Sequence, residues 1–337
     1  MMTPLQQRIP LVLNYILLII TLATKALSTT TTTQRSILIT GANKGQGYAL
    51  CDRILAEHSD THVFLCSRDV KRGEDAARAL LEKYPSDRVD VIPLDVTSDD
   101  SVTTAHEFVV ANLAAHPYRT LFGVVSNAGI LWGYTLQELL NVCTVGVRRV
   151  LDAFCPLVDC GGRVIVVSSG LGPLMHGYSS EARQEMLLNT DCTYEDIQGM
   201  MDECLALADD NDPTQFEEIG FSGGPFAESA PDFHMYGLAK MFADAYMLSL
   251  ARHQYPDLHV VSCDPGLVYT DLIGRMPRYQ GKVREDTTAQ TPQEGVEAAM
   301  RLLFDENHGP PESGRFYAMS KDGKELLHSE ISKMPNK

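Results

Sequence analysis

Short runs of consecutive apolar residues recur along the chain, and most are followed by a longer segment with helical spacing. The runs have the length of β-strands and lie at Ser36–Thr40, His62–Cys66, Val89–Leu94, Leu121–Val125, Arg163–Val167, His259–Cys263 and Arg315–Met319. Their apolar residues are continuous rather than alternating, which indicates strands buried on both faces. Such strands are typical of a parallel sheet that is covered by helices.

Helical patterns separate most of these strands. The predicted helices are Gln46–Glu57, Val70–Tyr84, Asp99–Ala115, a segment that reaches Phe154, a segment around Tyr236, and Pro292–Phe304. Repeated strand–helix units predict an α/β fold with a doubly wound parallel sheet of the Rossmann type. We expect residues 35–337 to form one such domain.

The segment from residue 170 to residue 232 breaks this alternation. It has helical patterns at Glu181–Leu188 and Tyr194–Ala208, followed by acidic and Gly/Pro-rich sequence. No further strand pattern accompanies them. We therefore predict a helical insertion over the active site and not a second domain.

Residues 1–34 differ from the rest of the chain. Residues 9–23 are almost entirely apolar, and a threonine-rich spacer follows them. A run of about 15 residues is short for a membrane span but suits a signal peptide. We expect a signal peptide or an N-terminal membrane anchor, with an endomembrane or secretory location. The alternative is an apolar tail on a cytoplasmic protein, and the absence of an Asn-x-Ser/Thr sequon disfavours long residence in a glycosylating lumen.

Composition excludes some classes of function. The chain has 337 residues, of which 44% are hydrophobic and 21% charged, as in ordinary globular proteins. Its net charge of -16 disfavours binding to nucleic acid and to anionic membranes. A site for an anionic cofactor must therefore be locally basic. None of the 8 cysteines forms a C-x-x-C pair, so no metal site is expected.

A glycine-rich turn joins the first predicted strand to the first predicted helix. Gly41, Gly45 and Gly47 lie in the sequence TGANKGQG at residues 40–47. Glycines allow a tight turn and close approach of a pyrophosphate, while the helix N-terminus offers free N–H groups. This arrangement predicts a dinucleotide site.

The residues after the second strand distinguish between cofactors. An acidic residue there accepts a hydrogen bond from a ribose 2′-hydroxyl, whereas a basic one pairs with a 2′-phosphate. This chain has Arg68 at that position, and Lys44 lies in the glycine-rich turn. Two cations favour NADPH, although the neighbouring Asp69 could neutralise Arg68.

Tyr236 and Lys240 are four residues apart in a predicted helix, so their side chains share one face. An adjacent ammonium is expected to lower the pKa of the phenol, which could then exchange a proton with a substrate oxygen. Ser168 and Ser169 end the strand that precedes the insertion. Ligands bind at that edge of open α/β sheets, and a serine there can hold a substrate carbonyl.

In this order, the motifs resemble the short-chain dehydrogenase/reductase family over about 285 residues. The matching segments are TGANKGQG at 40–47, LDVTS at 94–98, SNAG at 126–129, VSSGLG at 167–172, YGLAK at 236–240 and DPGLVYT at 264–270. The resemblance implies that Tyr236, Lys240 and Ser169 are catalytic, and that Lys240 also holds the nicotinamide ribose.

The same resemblance implies a set of cofactor-binding residues. They are Gly41, Asn43, Lys44, Gly45, Gln46, Gly47, Arg68, Asp95, Val96, Asn127, Ala128, Gly129, Tyr236, Lys240, Pro265, Gly266, Val268 and Thr270. Asp95 and Val96 are implied near the adenine, and residues 265–270 near the nicotinamide.

Within the family, the chain looks most like carbonyl reductases, which share the TGANKG sequence and the long insertion before the tyrosine. This likeness implies an NADPH-dependent reductase of aldehydes or ketones. It also implies a monomer, because the insertion covers helices that other members use for oligomerisation. One departure is Cys143, which replaces the usual asparagine of a proton relay. A thiol is a poor hydrogen-bond partner, so the relay is expected to be weakened or rebuilt.

Two other functions remain open at this point. Cys143 is compatible with a membrane-anchored, non-catalytic NADP(H)-binding sensor or scaffold. A sugar-nucleotide epimerase or dehydratase would also use tyrosine and lysine, but the spacing G-x-x-x-G-x-G speaks against it.

Overall fold

The computed structural model describes residues 34–116, 119–208, 213–305 and 309–332. One eight-stranded sheet runs through these residues in the order β3-β2-β1-β4-β5-β6-β7-β8. The strands are β1 Gln34–Ile39, β2 Thr61–Ser67, β3 Val89–Pro93, β4 Arg119–Ser126, β5 Val158–Val167, β6 His259–Asp264, β7 Phe316–Met319 and β8 Leu326–Ser329. The predicted doubly wound α/β fold is confirmed.

Seven strands are parallel, and only β8 pairs antiparallel, with β7. The sequence analysis missed β8. A turn from Ser320 to Glu325 brings it back along β7, and Gly323 adopts a φ of 69° in that turn. The Asp322–Gly323 dipeptide is a hairpin signal that could have revealed this strand.

Helices lie on both faces of the sheet. In chain order they are α1 Gly45–Glu57, α2 Val70–Leu81, α3 Asp99–Ala115, α4 Leu136–Leu140, α5 Gly146–Phe154, α6 Leu171–Tyr178, α7 Glu181–Leu188, α8 Tyr194–Leu207, α9 Phe226–Ser229, α10 Pro231–His253, α11 Asp271–Gly274, α12 Pro292–Gly295 and α13 Glu297–Phe304. A π-helical turn, Asn141–Val145, joins α4 to α5. The predicted helix 292–304 is interrupted at Val296.

The two faces of the sheet form two separate cores. Ile37 and Ile39 of β1 pack with α1, α2 and α13, whereas Leu38 packs with α3, α5 and α10 on the opposite face. Successive side chains of a strand point to opposite faces, so a strand covered on both sides must be apolar throughout. This explains the continuous apolar runs from which the sheet was predicted.

The predicted insertion, 170–232, is largely helical and packs on the outer side of α10. Ser249 of α10 donates to the carbonyl of Cys192 at 2.8 Å, and the Tyr246 ring lies edge-on to Tyr194, with centroids 5.6 Å apart. Helix α6, at the start of this segment, was not predicted.

The predicted leader, residues 1–34, lies outside the described residues except for Gln34, the first residue of β1. Among the helices of the described ranges, none is both long and apolar enough to cross a membrane. The expected signal peptide or anchor at residues 9–23 falls outside those ranges.

Candidate active site

The glycine-rich turn lies between the end of β1 and the start of α1, as predicted. Gly41 and Gly45 have φ angles of 64° and 57°, a region of backbone conformation that favours glycine. A Cβ on Gly47 would lie 2.6 Å from the carbonyl oxygen of Gly41, so this position needs glycine for close packing. Asn43 and Gln46 flank the turn and are half-buried.

The N-terminus of α1 is suited to an anionic group. Lys44 is its N-cap residue, and no side chain caps the helix. Because the first N–H groups of a helix lack partners within the helix, they can bind phosphate oxygens here. The residues present therefore fit the pyrophosphate of a dinucleotide.

Asn127 holds the glycine-rich turn to the end of β4. Its side-chain amide donates to the carbonyl of Thr40 at 2.9 Å, and its backbone N–H donates to the Thr40 hydroxyl at 2.9 Å. The N–H of Ala128 donates to that hydroxyl as well, at 3.0 Å. Buried Thr40, which the sequence analysis did not single out, thus fixes two of the predicted residues.

The turn after β2 places Arg68 on the surface, where no hydrogen bond or ion pair joins it to another described residue. Asp69 does not neutralise it. Its carboxylate instead caps α2 by accepting from the N–H of Arg72 at 2.9 Å, and it lies 3.6 Å from the Arg72 guanidinium. Arg68 is therefore available for a 2′-phosphate.

Lys44 has a partner within the protein. Its ammonium pairs with Asp271 at 2.7 Å, on the surface of the protein. The pair connects the glycine-rich turn to the segment after β6, where Thr270 approaches Gly45. The two predicted cations therefore do not act alike, because only Arg68 is unpaired. The sequence analysis missed Asp271, because its contact with Lys44 depends on the packing of two distant segments.

The remaining predicted cofactor residues lie at the carboxyl edge of the sheet or near it. Asp95, after β3, accepts two hydrogen bonds from Thr97, and Val96 packs against Gly146. Gly266, after Pro265, has a φ of 75° and donates its N–H to Asp264, while Val268 is buried.

Tyr236 and Lys240 lie on α10 and are almost completely buried, at 8% and 3% exposure. The Lys240 ammonium donates to the carbonyl of Val167, the last residue of β5, at 2.7 Å. It lies 5.6 Å from the centroid of the Tyr236 ring. This contact joins the helix face that carries Tyr236 to the strand end that carries Ser169.

Ser169 itself begins the turn into α6, and its hydroxyl accepts from the N–H of Leu171 at 3.3 Å. That contact leaves the hydroxyl proton available to a substrate oxygen. Gly129 adjoins the same region, since a Cβ on it would lie 3.9 Å from both the Lys240 ammonium and the Cys143 sulfur.

The expected effect of Lys240 on Tyr236 is wrong for this structure. Burial raises the pKa of the Tyr236 phenol well above its ordinary value, and Cys143, Asp264 and Asp244 act in the same direction. The net shift is upward although the Lys240 ammonium lies 5.6 Å from the centroid of the Tyr236 ring. The phenol is therefore protonated at neutral pH and is suited to donate a proton.

Cys143 lies in the middle of the π-helical turn and is fully buried. Its thiol approaches the carbonyl of Ile130 at 3.5 Å. Asn141 does not take its place, since its side-chain oxygen accepts from Arg149 at 3.0 Å. Seven cysteines are buried, as expected of structural thiols, and Cys160 is exposed. No group of residues suited to a metal ion occurs within the described ranges.

Comparisons with known proteins find sequences and structures that are similar to this chain. A family model described as short chain dehydrogenase matches residues 35–181. Short-chain dehydrogenase/reductase 1 of Saponaria officinalis is 27% identical over 317 residues, covering 86% of this chain and 95% of that protein. Carbonyl reductase (NADPH) 1 of Rattus norvegicus is 26% identical, covering 79% and 90%.

Among solved structures, salutaridine reductase from Papaver somniferum superposes with a TM-score of 0.66 at 23% identity, covering 84% of this chain and 99% of that one. At this level of identity the superposition shows that the two proteins have a similar fold.

Proposed function

Because the chain belongs to the short-chain dehydrogenase/reductase family, we propose that it reduces aldehydes or ketones with NADPH. That it is an oxidoreductase of CH–OH and C=O groups follows from the family. The contact between Lys240 and the carbonyl of Val167 carries the proposal, because it brings the Tyr236 face of α10 to the end of β5.

Each residue has a proposed role. Ser169 donates a hydrogen bond to the substrate carbonyl, and Tyr236 donates a proton to that oxygen as it becomes an alcohol. Lys240 anchors the helix to β5 and supplies positive charge beside the developing phenolate. The nicotinamide, when bound, supplies the hydride. Since the phenol is protonated at neutral pH, it is in the form that a reduction requires.

The N-terminus of α1 and the turn that holds Arg68 would bind the cofactor. The uncapped helix suits the pyrophosphate, and the unpaired guanidinium suits the 2′-phosphate of NADP(H). Asn127 and Thr40 keep the glycine-rich turn in place. The name of the rat relative also mentions NADPH.

Half-buried aromatic side chains favour a carbonyl substrate with an apolar body. Phe233 lies one helical turn before Tyr236, on the same face of α10. The rings of Trp132 and Phe226 pack edge-on against it, with centroid distances of 5.8 and 6.1 Å. We propose that these three rings form one wall of the substrate pocket.

A panel of aldehydes, quinones, α-dicarbonyls and cyclic ketones, assayed by the loss of NADPH absorbance, tests the proposed function. We expect turnover with NADPH and much slower turnover with NADH. Tight binding of NADPH without turnover of any compound would contradict the proposal and favour a non-catalytic cofactor-binding protein.

Arg68→Ala is expected to weaken NADPH binding by roughly tenfold to a hundredfold, the range for a charge-assisted hydrogen bond. NADH, which has no 2′-phosphate, should bind as before. Fluorescence titration with each cofactor measures the two affinities.

Lys71→Ala is the matched control for Arg68→Ala. This exposed cation lies three residues further on and pairs with Asp75 at 3.2 Å. Its loss should leave both affinities unchanged. An equal loss of NADPH and NADH affinity in Arg68→Ala would show that Arg68 does not recognise the 2′-phosphate.

We propose that the protein is a monomer, because the insertion occupies the outer side of α10. Arg252 donates to the carbonyl of Leu188 at 2.9 Å, and the Arg148 guanidinium lies 4.0 Å from the centroid of the Tyr194 ring. Sedimentation should give the mass of one chain. A dimer that persists on dilution would be evidence against this.

A further inference from the structure

A buried carboxyl group lies beneath the proposed catalytic residues. Asp244 is one turn after Lys240 on α10 and is only 1% exposed. Its Oδ2 accepts from the Ser168 hydroxyl at 2.8 Å. The first turn of α6 presses against it, since a Cβ on Gly172 would lie 2.5 Å from this oxygen.

Two residues of α10 therefore hold the end of β5. Lys240 binds the carbonyl of Val167, and Asp244 binds the hydroxyl of Ser168. Ser169, the proposed substrate-binding serine, is the next residue. Its position depends on both contacts, because the chain turns into α6 immediately after it.

The second carboxylate oxygen has no partner. Oδ1 of Asp244 and the hydroxyl of Ser262 on β6 are both buried without a hydrogen bond among the described residues. Ser262 still lies near enough to favour the charged form of the carboxyl.

The charged and titratable groups around Asp244 come from two elements. Lys240 and Tyr236 lie on its own helix, and Asp264 and Cys263 lie on β6. Burial raises the pKa of Asp244 to about 7; Ser262, Ser168 and Lys240 oppose the rise, and Asp264 adds to it. Its charge therefore changes near neutral pH.

We propose that Asp244 is a positioning residue of the active site, which holds Ser168 at the end of β5 and opposes phenolate formation at Tyr236 when it is ionised. The inference rests on the proposed role of Tyr236 as acid and base. The negative charge of Asp244 is one of the causes that raise the pKa of Tyr236.

The charge of Asp244 determines the direction in which Asp244→Asn shifts the pH dependence of the rate. In alcohol oxidation Tyr236 must be a phenolate to accept the proton, so the rate rises with pH through the pKa of Tyr236. Asp244→Asn removes a negative charge that is present only above about pH 7. The rising limb of the variant should then lie at lower pH, whereas below pH 7 the two proteins should have similar profiles.

The experiment measures kcat against pH for alcohol oxidation by the full chain with NADP⁺. We expect Asp244→Asn to move the rising limb down by about one pH unit, which is about a tenfold faster rate at a fixed pH on that limb. Ser168→Ala removes a donor from the carboxylate but leaves Asp244 ionised on that limb, so it should lower kcat without moving the limb down.

Asp152→Asn is the control. Asp152 lies on α5 and accepts a hydrogen bond from Tyr246, which lies on α10 as Asp244 does. Asp152→Asn should not move the limb. Coincident limbs in wild type and a folded Asp244→Asn variant would overturn the inference. If that variant does not fold, an unchanged kcat in Ser168→Ala overturns the inference.

Failure of the proposed function and failure of the proposed role of Asp244 give different experimental results. If the wild type turns over no carbonyl or alcohol, the proposed function fails. The ionisation of Tyr236 can then be followed directly, as the tyrosinate absorbance that each protein loses on Tyr236→Phe substitution. A titration of Tyr236 that Asp244→Asn leaves unshifted would overturn the inference, and a shift to lower pH would support it.

Discussion

Tyr236→Phe is expected to lower kcat for carbonyl reduction by about three orders of magnitude, within the range for a lost general acid. The change removes one hydroxyl and keeps the ring, so the packing of α10 should persist. NADPH affinity should change little, because the glycine-rich turn and Arg68 are untouched. Steady-state kinetics and fluorescence titration measure the two quantities.

Tyr246→Phe provides the matched control. It is the same chemical change on the same helix, at a buried tyrosine whose hydroxyl donates to Asp152, away from Lys240. This variant should keep its turnover and lose about 1 kcal/mol of stability with the hydrogen bond. Equal turnover by Tyr236→Phe and wild type would end the proposed mechanism.

Gly47→Ala is expected to weaken NADPH binding at least about tenfold and to cost roughly 1–3 kcal/mol of stability, as overpacking does. The new Cβ would lie 2.6 Å from the Gly41 carbonyl oxygen, 2.7 Å from the Asn127 amide and 2.8 Å from the Ala42 Cα. Two of these atoms belong to the backbone of the glycine-rich turn, so the turn must move.

Gly199→Ala makes the same change in α8, where a Cβ meets no atom within 4 Å. Alanine is the better helix former, so this variant should gain about 1 kcal/mol and bind NADPH as before. Thermal unfolding and NADPH titration compare the two. Unchanged affinity in Gly47→Ala would show that the turn does not form the cofactor site.

Local signals explain why much of the fold could be predicted. Helix α3 has the predicted bounds, 99–115, because Ser98 caps it and two aspartates open its first turn. The order of the motifs also predicted which residues meet at the carboxyl edge. Parallel strands end at one edge, so Ser169 and residues 265–270 had to converge there.

Contacts between distant segments of the chain could not be predicted from the sequence. Asp244 appeared as one polar residue in an apolar helix, and nothing local indicated that Ser168 would bind it. The partner of Lys44 lies 227 residues away. The pKa of Tyr236 was predicted in the wrong direction, because spacing places an ammonium near a phenol but does not show how deeply that phenol is buried.

The amino-acid sequence was sufficient to predict the α/β architecture, the family and the residues that share one edge of the sheet, because hydrophobic periodicity and short motifs act over a few residues. The pairing, burial and mutual orientation of the charges became visible in the folded protein and not before. Those facts depend on desolvation and on distances between segments that are remote in the chain, and they set the protonation of Tyr236 and the environment of Asp244.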